Sequence, residues 1–368
     1  MRVIAAKEQL LNAVQIVQRA VSVRNPLPIL SGIRFEAVDN KIFLTATDLD
    51  MGIRCSFAAE VIEPGAAVLP ARYISELVRR LPDVPVLLKA EPVTGSVTIQ
   101  YGQSETSING YPAEEFPDFP IPSGDLTFDL PVEVLRALVR QVVFAAANNE
   151  NRPVFNGVLF ELHDGYLQVI ATDTYRLAWR RLPLENCEKI DINIIIPGKT
   201  LTELVKIIEP EKAVNITVTE NQILFRADDT CLISRLIDGQ FPNYKQVIPQ
   251  EHLTRIRLKT KELAEATERA SLLTKDGSPI VKMSLEQNTL VISVNTEAGR
   301  VHEEIPVFQE GEPFQVAFNA RYLGDVLKAM GSEEIIMELT GPLSPGVLRP
   351  VDDQEYLSLL LPVRLRGA

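Results

Sequence analysis

At 368 residues the chain is too long for a single compact core and suggests two or three domains of ordinary size. A hydrophobic share of 46% and a charged share of 23% suit a globular protein. No signal-peptide pattern and no run of about 18 apolar residues is present, so the expectation is a cytoplasmic protein with no membrane partner. The net charge of −12 argues against a simple basic DNA-binding domain.

The three cysteines, Cys55, Cys187 and Cys231, lack Cys-x-x-Cys spacing, which argues against a disulfide framework or a structural zinc site. His163, His252 and His302 are equally scattered. Neither a metal nor a cofactor is therefore expected.

From the N-terminus, Leu10, Val14, Val17 and Val21 recur at helical spacing within residues 7–20, and Asn25-Pro26-Leu27-Pro28 ends the helix. Residues 33–36 alternate as a strand, Asp39-Asn40 turns, and 41–47 return as the second arm of a hairpin. Residues 52–57 and 67–69 read as further strands, and 72–81 as a second helix stopped by Pro82. Strands at 86–90, 96–101 and 104–108 follow, and the proline-rich Phe116-Pro117-Asp118-Phe119-Pro120-Ile121-Pro122 closes the unit.

The same order then recurs: a helix at 131–147 with Pro131 in its first turn, a hairpin at 158–172, a helix at 199–208, and strands at 216–219, 222–227 and 230–236. Ala171-Thr172-Asp173 repeats Ala46-Thr47-Asp48, and Phe241-Pro242-Asn243-Tyr244 echoes Phe116-Pro117-Asp118-Phe119, both at an offset of 125 residues. A more diverged third copy has helices at 261–275 and 321–330, a hairpin at 282–295 and a terminal strand run at 357–365. Repeats of this kind set the architecture. The expectation is an α+β chain of three tandem domains, 1–122, 123–248 and 249–368, each with two helices and about eight mainly antiparallel strands.

The six helical segments together carry a net charge of +6, leaving −18 on the rest of the chain. Equivalent helices in a repeat lie on equivalent faces, so an acidic protein with one basic lining suits an enclosed phosphate backbone. Arg24, Arg72, Arg79, Arg80, Arg136, Arg140, Lys199, Lys206, Arg321 and Lys328 are the candidates, making sequence-blind contacts.

Four motifs in this order, Asn25-Pro26-Leu27-Pro28-Ile29-Leu30-Ser31-Gly32, Ala171-Thr172-Asp173-Thr174-Tyr175-Arg176-Leu177-Ala178, Asp238-Gly239-Gln240-Phe241-Pro242-Asn243-Tyr244 and Leu361-Pro362-Val363-Arg364-Leu365, resemble those of the bacterial sliding clamps. These are the beta subunits of the replicative DNA polymerase III holoenzyme, and the resemblance runs through essentially the whole chain. It implies three DNA-clamp (processivity-fold) domains and a head-to-tail homodimer closed into a ring around duplex DNA. It also implies a non-catalytic processivity factor that tethers the polymerase and shares one peptide pocket among the polymerase, the clamp loader and repair polymerases.

Carried onto this chain, the resemblance puts the pocket at Phe155, Thr172, Thr174, Tyr175, Arg176, Leu177, Pro242, Val247, Leu343, Pro345, Leu359, Leu361, Pro362 and Val363. It puts DNA contacts at Arg24, Arg72, Asn149, Arg152 and Lys199, and the dimer interface at Thr106 and Ile108 against Leu272 and Leu273. Tyr175 stands where members often have His, Gln246 where they often have Arg, and Thr106 where some have an aromatic residue. Pro153 and Val154 stand where some members have aromatic residues.

Two other readings stay open on the residues alone. One is a peptide-binding adaptor that never meets DNA. The other is a metal-dependent hydrolase using the duplicated Asp48 and Asp173, weighed against the bland alternative that these carboxylates cap turns at hairpin ends.

Overall fold

The structure is a computed structural model that describes residues 1–22, 27–91, 95–119, 121–122, 124, 126–148, 152–185, 187, 189–209, 213–274 and 279–364. Six α-helices are described: α1 (Lys7–Val17), α2 (Ala71–Arg80), α3 (Val132–Val142), α4 (Gly198–Ile207), α5 (Thr260–Leu272) and α6 (Ala320–Met330). The spacing of Leu10, Val14 and Val17 becomes the buried stripe of α1, whereas Val21 lies beyond its end. Pro131 is not in the first turn of α3; it ends the strand Leu126–Pro131, and the helix begins at Val132. The helix read at 261–275 ends at Leu272, with Lys275 outside the described residues.

The described strands form four antiparallel sheets whose membership cuts across the sequence repeat. An eight-stranded sheet joins the first repeat to the second where Thr230–Arg235 pairs with Met51–Ala58. A nine-stranded sheet joins the second to the third where Arg176–Pro183 pairs with Tyr356–Leu360. A five-stranded sheet belongs to the first repeat alone and a four-stranded sheet to the third alone.

Two compact units result, 1–135 with 199–236, and 136–198 with 237–368. The central repeat thus contributes one half of its strands to each unit. Strands Arg2–Ala5 and Glu60–Glu63, short and without clear alternation, escape the sequence reading.

The hairpin turns recur with their chemistry. Asp39-Asn40, Asp164-Gly165 and Gln287-Asn288 each have two consecutive positive φ angles, as a two-residue turn matched to strand twist requires. In the third repeat, α5 and α6 cover a core of Leu263, Leu323, Val326, Met337 and Tyr356.

Candidate functional site

The duplicated Ala-Thr-Asp triplets are turns built the same way. In the middle copy the Thr172 hydroxyl donates to the Arg176 carbonyl at 2.7 Å and accepts from the Thr174 N–H at 3.2 Å. Asp173 Oδ1 accepts the N–H groups of Tyr175 and Arg176 at 2.9 and 3.0 Å. In the first copy Thr47 and Asp48 do the same for Met51, Leu49 and Asp50. Thr174 and Leu49 take the matching left-handed conformation, at φ 76° and 78°.

A short carboxylate that satisfies two turn N–H groups performs structural work, which disfavours the hydrolase reading. The second oxygens go to cations: Asp48 to Lys199 at 2.9 Å and Asp173 to Arg176 at 3.0 Å. Among the described residues no cluster of three or more His, Cys, Asp or Glu is placed to hold a metal ion.

The turn leads into the strand Arg176–Pro183, where Leu177 pairs with Leu359, which in turn pairs with Val347. These three, with Leu159, Ile170, Ile195, Leu357 and Tyr244, make one buried apolar cluster on one face of the nine-stranded sheet. The Tyr244 hydroxyl donates to Glu161 at 2.8 Å, and burial, reinforced by that carboxylate, raises its pKa.

Near these cluster residues in sequence the chain leaves large apolar side chains uncovered. Tyr175 is 60% exposed, Val247 51%, Leu343 62% and Leu361 39%. These exposed groups lie two to four residues along the chain from Leu177, Tyr244, Val347 and Leu359 of the cluster, which makes this surface a candidate docking groove. Thr174 and Pro242 are also exposed, Pro345, Pro362 and Val363 are half-buried, and Thr172 is buried. The strand ends at Leu360, earlier than the sequence suggests, and Leu365 lies outside the described residues. From there Leu361 donates its N–H to the Tyr175 carbonyl at 2.9 Å and Val363 to the Ala317 carbonyl at 2.7 Å.

Strand alternation divides the candidates. Leu360 belongs to the core on the helix side of the sheet, as its alternation with Leu359 and Leu361 predicts. Arg176, directly opposite Leu360, turns to that same side. Its guanidinium donates to Asp173 at 3.0 Å and to Asp325 of α6 at 2.6 Å, and it stacks over the rings of Tyr322 at 4.4 Å and Phe144 at 5.5 Å. Arg176 therefore packs on the α6 side of the sheet, on the face opposite the apolar cluster. Phe155 is half-buried, and its neighbour Val154 is the residue packed on that cluster.

Sequence reading omits Val347, Tyr322 and Asp325. Only strand pairing and helix packing bring them here, although the Asn319 cap and Gly331 stop of α6 are legible.

Of the residues read as DNA-facing, Arg24 and Asn149 lie outside the described residues. Arg72 and Lys199 are exposed, each the second residue of its helix, a place Arg321 holds in α6; Arg152 is exposed ahead of the short turn Pro153–Asn156. Other cations are paired: Arg79 and Arg80 with Glu76 and Lys206 with Glu203 within their own helices, while Arg19, just past α1, reaches Glu203 from a remote part of the chain. The exposed pairs of Arg79 and Arg80 with Glu76 contribute little to stability.

Of the residues read as an interface, Thr106 and Ile108 lie in Ser104–Asn109, the edge strand of the five-stranded sheet. Leu272 ends α5 at 56% exposed. A Cβ built on Gly299, which begins the edge strand of the four-stranded sheet, would stand 3.6 Å from Leu273 Cδ1. No described helix is long and apolar enough to cross a membrane.

Three family models match in succession: the DNA polymerase III beta subunit N-terminal domain over residues 1–120, its central domain over 129–243 and its C-terminal domain over 245–364. A beta sliding clamp of Bacillus subtilis is 37% identical over 97% of this chain and 98% of its own length. One from Staphylococcus epidermidis is 33% identical over 97% and 98%. The crystal structure of the DNA polymerase sliding clamp from Bacillus subtilis superposes with a TM-score of 0.95 at 36% identity, covering 99% of both chains. The DNA polymerase III beta subunit of Thermotoga maritima superposes at 0.91 with 31% identity, again over 99% of both. The chain therefore belongs to the DNA polymerase III beta-subunit family, the beta sliding clamps, and is a processivity factor of DNA replication rather than an enzyme.

Proposed function

We propose that this chain joins a second copy head to tail in a closed ring around duplex DNA and holds the replicative polymerase on its template by topology. Sheet order is the observation that carries this reading. Taken from one edge, the nine-stranded sheet runs Phe308–Gly311, Thr254–Lys259, Glu334–Leu339, Gly346–Pro350, Tyr356–Leu360, then Arg176–Pro183, Tyr166–Thr172, Gly157–His163, Ile192–Pro197.

The five-stranded sheet of the first repeat reproduces the first part, ending at Ser104–Asn109. The four-stranded sheet of the third repeat reproduces the rest, beginning at Gly299–Pro306. Pairing those two edges between copies makes the same nine-stranded sheet again and removes both unpaired edges. Leu272 and Leu273 flank that seam.

Three clamp domains, 1–122, 123–248 and 249–368, follow the repeat. Arg72, Arg152 and Lys199, with Arg24 and Asn149, face the duplex and contact phosphate without reading sequence. Leu177, Leu359 and Val347 floor a groove for a short peptide carrying a glutamine and large apolar residues. Thr174, Tyr175, Pro242, Val247, Leu343, Pro345, Leu361, Pro362 and Val363 rim it, while Phe155, Thr172 and Arg176 support it. The polymerase, the clamp loader and repair polymerases compete for this groove, in the cytoplasm.

The test is to load the protein onto nicked circular DNA with its loader, wash at high salt and cut the circle. A ring stays on the circle and leaves the cut DNA. Equal retention on both, or loss from both, sinks the topological reading.

A further inference from the structure

The turn that carries Tyr175 closes on backbone groups, without any help from the Arg176 side chain. The first repeat makes the same four hydrogen bonds around Thr47 and Asp48, with buried Met51 where Arg176 stands and Asp50 where Tyr175 stands. The Arg176 bracket is therefore an addition confined to the copy that exposes Tyr175.

That bracket is supplied by α6. Asn319 accepts the N–H groups of Arg321 and Tyr322, fixing the first turn of the helix. Tyr322 and Asp325, three residues apart, share one face of it. Asp325 accepts from Arg176 at 2.6 Å, Arg176 lies over the Tyr322 ring at 4.4 Å, and the Tyr322 ring stands 6.4 Å from that of Tyr175. The Tyr175 carbonyl in turn holds the N–H of Leu361 at 2.9 Å. One carboxylate thus fixes a chain of contacts ending at two exposed rim residues.

We propose that Asp325 is a positioning residue for the peptide groove: through Arg176 and Tyr322 it sets the pose of Tyr175, and so the affinity for peptide, without touching the peptide. This rests on the groove reading above. An exposed tyrosine held in one pose forfeits less rotamer freedom when a peptide covers it, so releasing the brace weakens binding.

The test uses the full-length protein and a fluorescein-labelled hexapeptide of one glutamine followed by leucine and phenylalanine side chains, read by fluorescence anisotropy. Asp325→Ala is expected to weaken binding roughly fivefold, and Asp325→Asn, which keeps an acceptor oxygen, less. In a Tyr175→Ala background the Asp325→Ala penalty disappears, which a merely structural role would not produce.

Penalties that multiply in the double variant overturn the proposal. So does unchanged affinity in Asp325→Ala with only its melting temperature lowered; should that variant fail to fold, Asp325→Asn carries the same comparison. Wild-type protein that ignores the peptide overturns the groove itself, and the proposal with it.

Discussion

Leu177 stands directly opposite Leu359 across the junction of the second and third repeats, both buried in the cluster that floors the candidate groove. The relationship makes the site a product of sheet pairing: one strand comes from the middle of the sequence and the other from its end. It also separates floor from rim by burial. Leu359→Ala should lower stability by about 2–5 kcal/mol and weaken peptide binding together. Leu361→Ala, 39% exposed, should weaken binding while shifting stability by no more than about 0.5 kcal/mol. Denaturant melts alongside anisotropy separate the two; equal stability losses would mean Leu361 is core.

The internal junctions also fix the register expected between copies. In the eight-stranded sheet Leu232 lies opposite Ile53 and Ser234 opposite Met51. Transferred through the repeat, Thr106 should face the Val301 of a second copy, and Ile108 its Gly299. Opposed residues in such a ladder have Cα atoms about 4.5–5.5 Å apart, within disulfide reach. Thr106→Cys with Val301→Cys should cross-link into a covalent dimer on mild oxidation, visible on a non-reducing gel. A shift of one cysteine by one residue should abolish it.

Closure itself should depend on the helix end. Leu272→Ala with Leu273→Ala is expected to give monomer in sedimentation velocity, each lost side chain costing on the order of 2 kcal/mol. A dimer of unchanged strength would show that the seam lies elsewhere.

Asp173 and Asp48 make the same backbone bonds, so their substitutions isolate what differs. Asp48→Ala removes the carboxylate oxygen that accepts two turn N–H groups and the partner of exposed Lys199, a cost of about 1–2 kcal/mol. Asp173→Ala also leaves Arg176, 9% exposed, short of one carboxylate, and should cost about 2–4 kcal/mol. Urea unfolding reads the difference; indistinguishable midpoints would assign the Arg176 pair no net stabilising role.

Cys55 gives a pH signature. Burial, assisted by the nearby Asp229 and Cys231, pushes its thiol from 9.0 up to about 12. Because the folded value is raised, its contribution is fully present below pH 9 and is lost between pH 9 and about 12, as unfolded chains ionise first. Relative to Cys55→Ala, the wild type should therefore lose stability progressively above pH 9. Iodoacetamide at pH 8.5 should leave Cys55 unmodified in the folded protein and label it in guanidinium, as peptide mass spectrometry would report.

The motifs and the repeat were legible because they are local. Helical spacing fixed α1, Asp39-Asn40 fixed its hairpin turn, and the Thr-Asp turns recur because each closes on its own backbone. The strands Arg2–Ala5 and Glu60–Glu63 were not legible, being four residues long with no alternation to read. Nor was the side to which Arg176 turns, since adjacency in sequence hides the alternation of a strand whose start was unknown.

Sequence by itself determined the three copies and the family. Only the tertiary structure decided that the central repeat divides its strands between two sheets, and that Arg176 answers to Asp325 rather than lining the groove floor. The physical reason is range. Turns, caps and periodicity are satisfied within a few residues, whereas strand neighbours and buried charge partners are chosen by packing among segments remote in the chain.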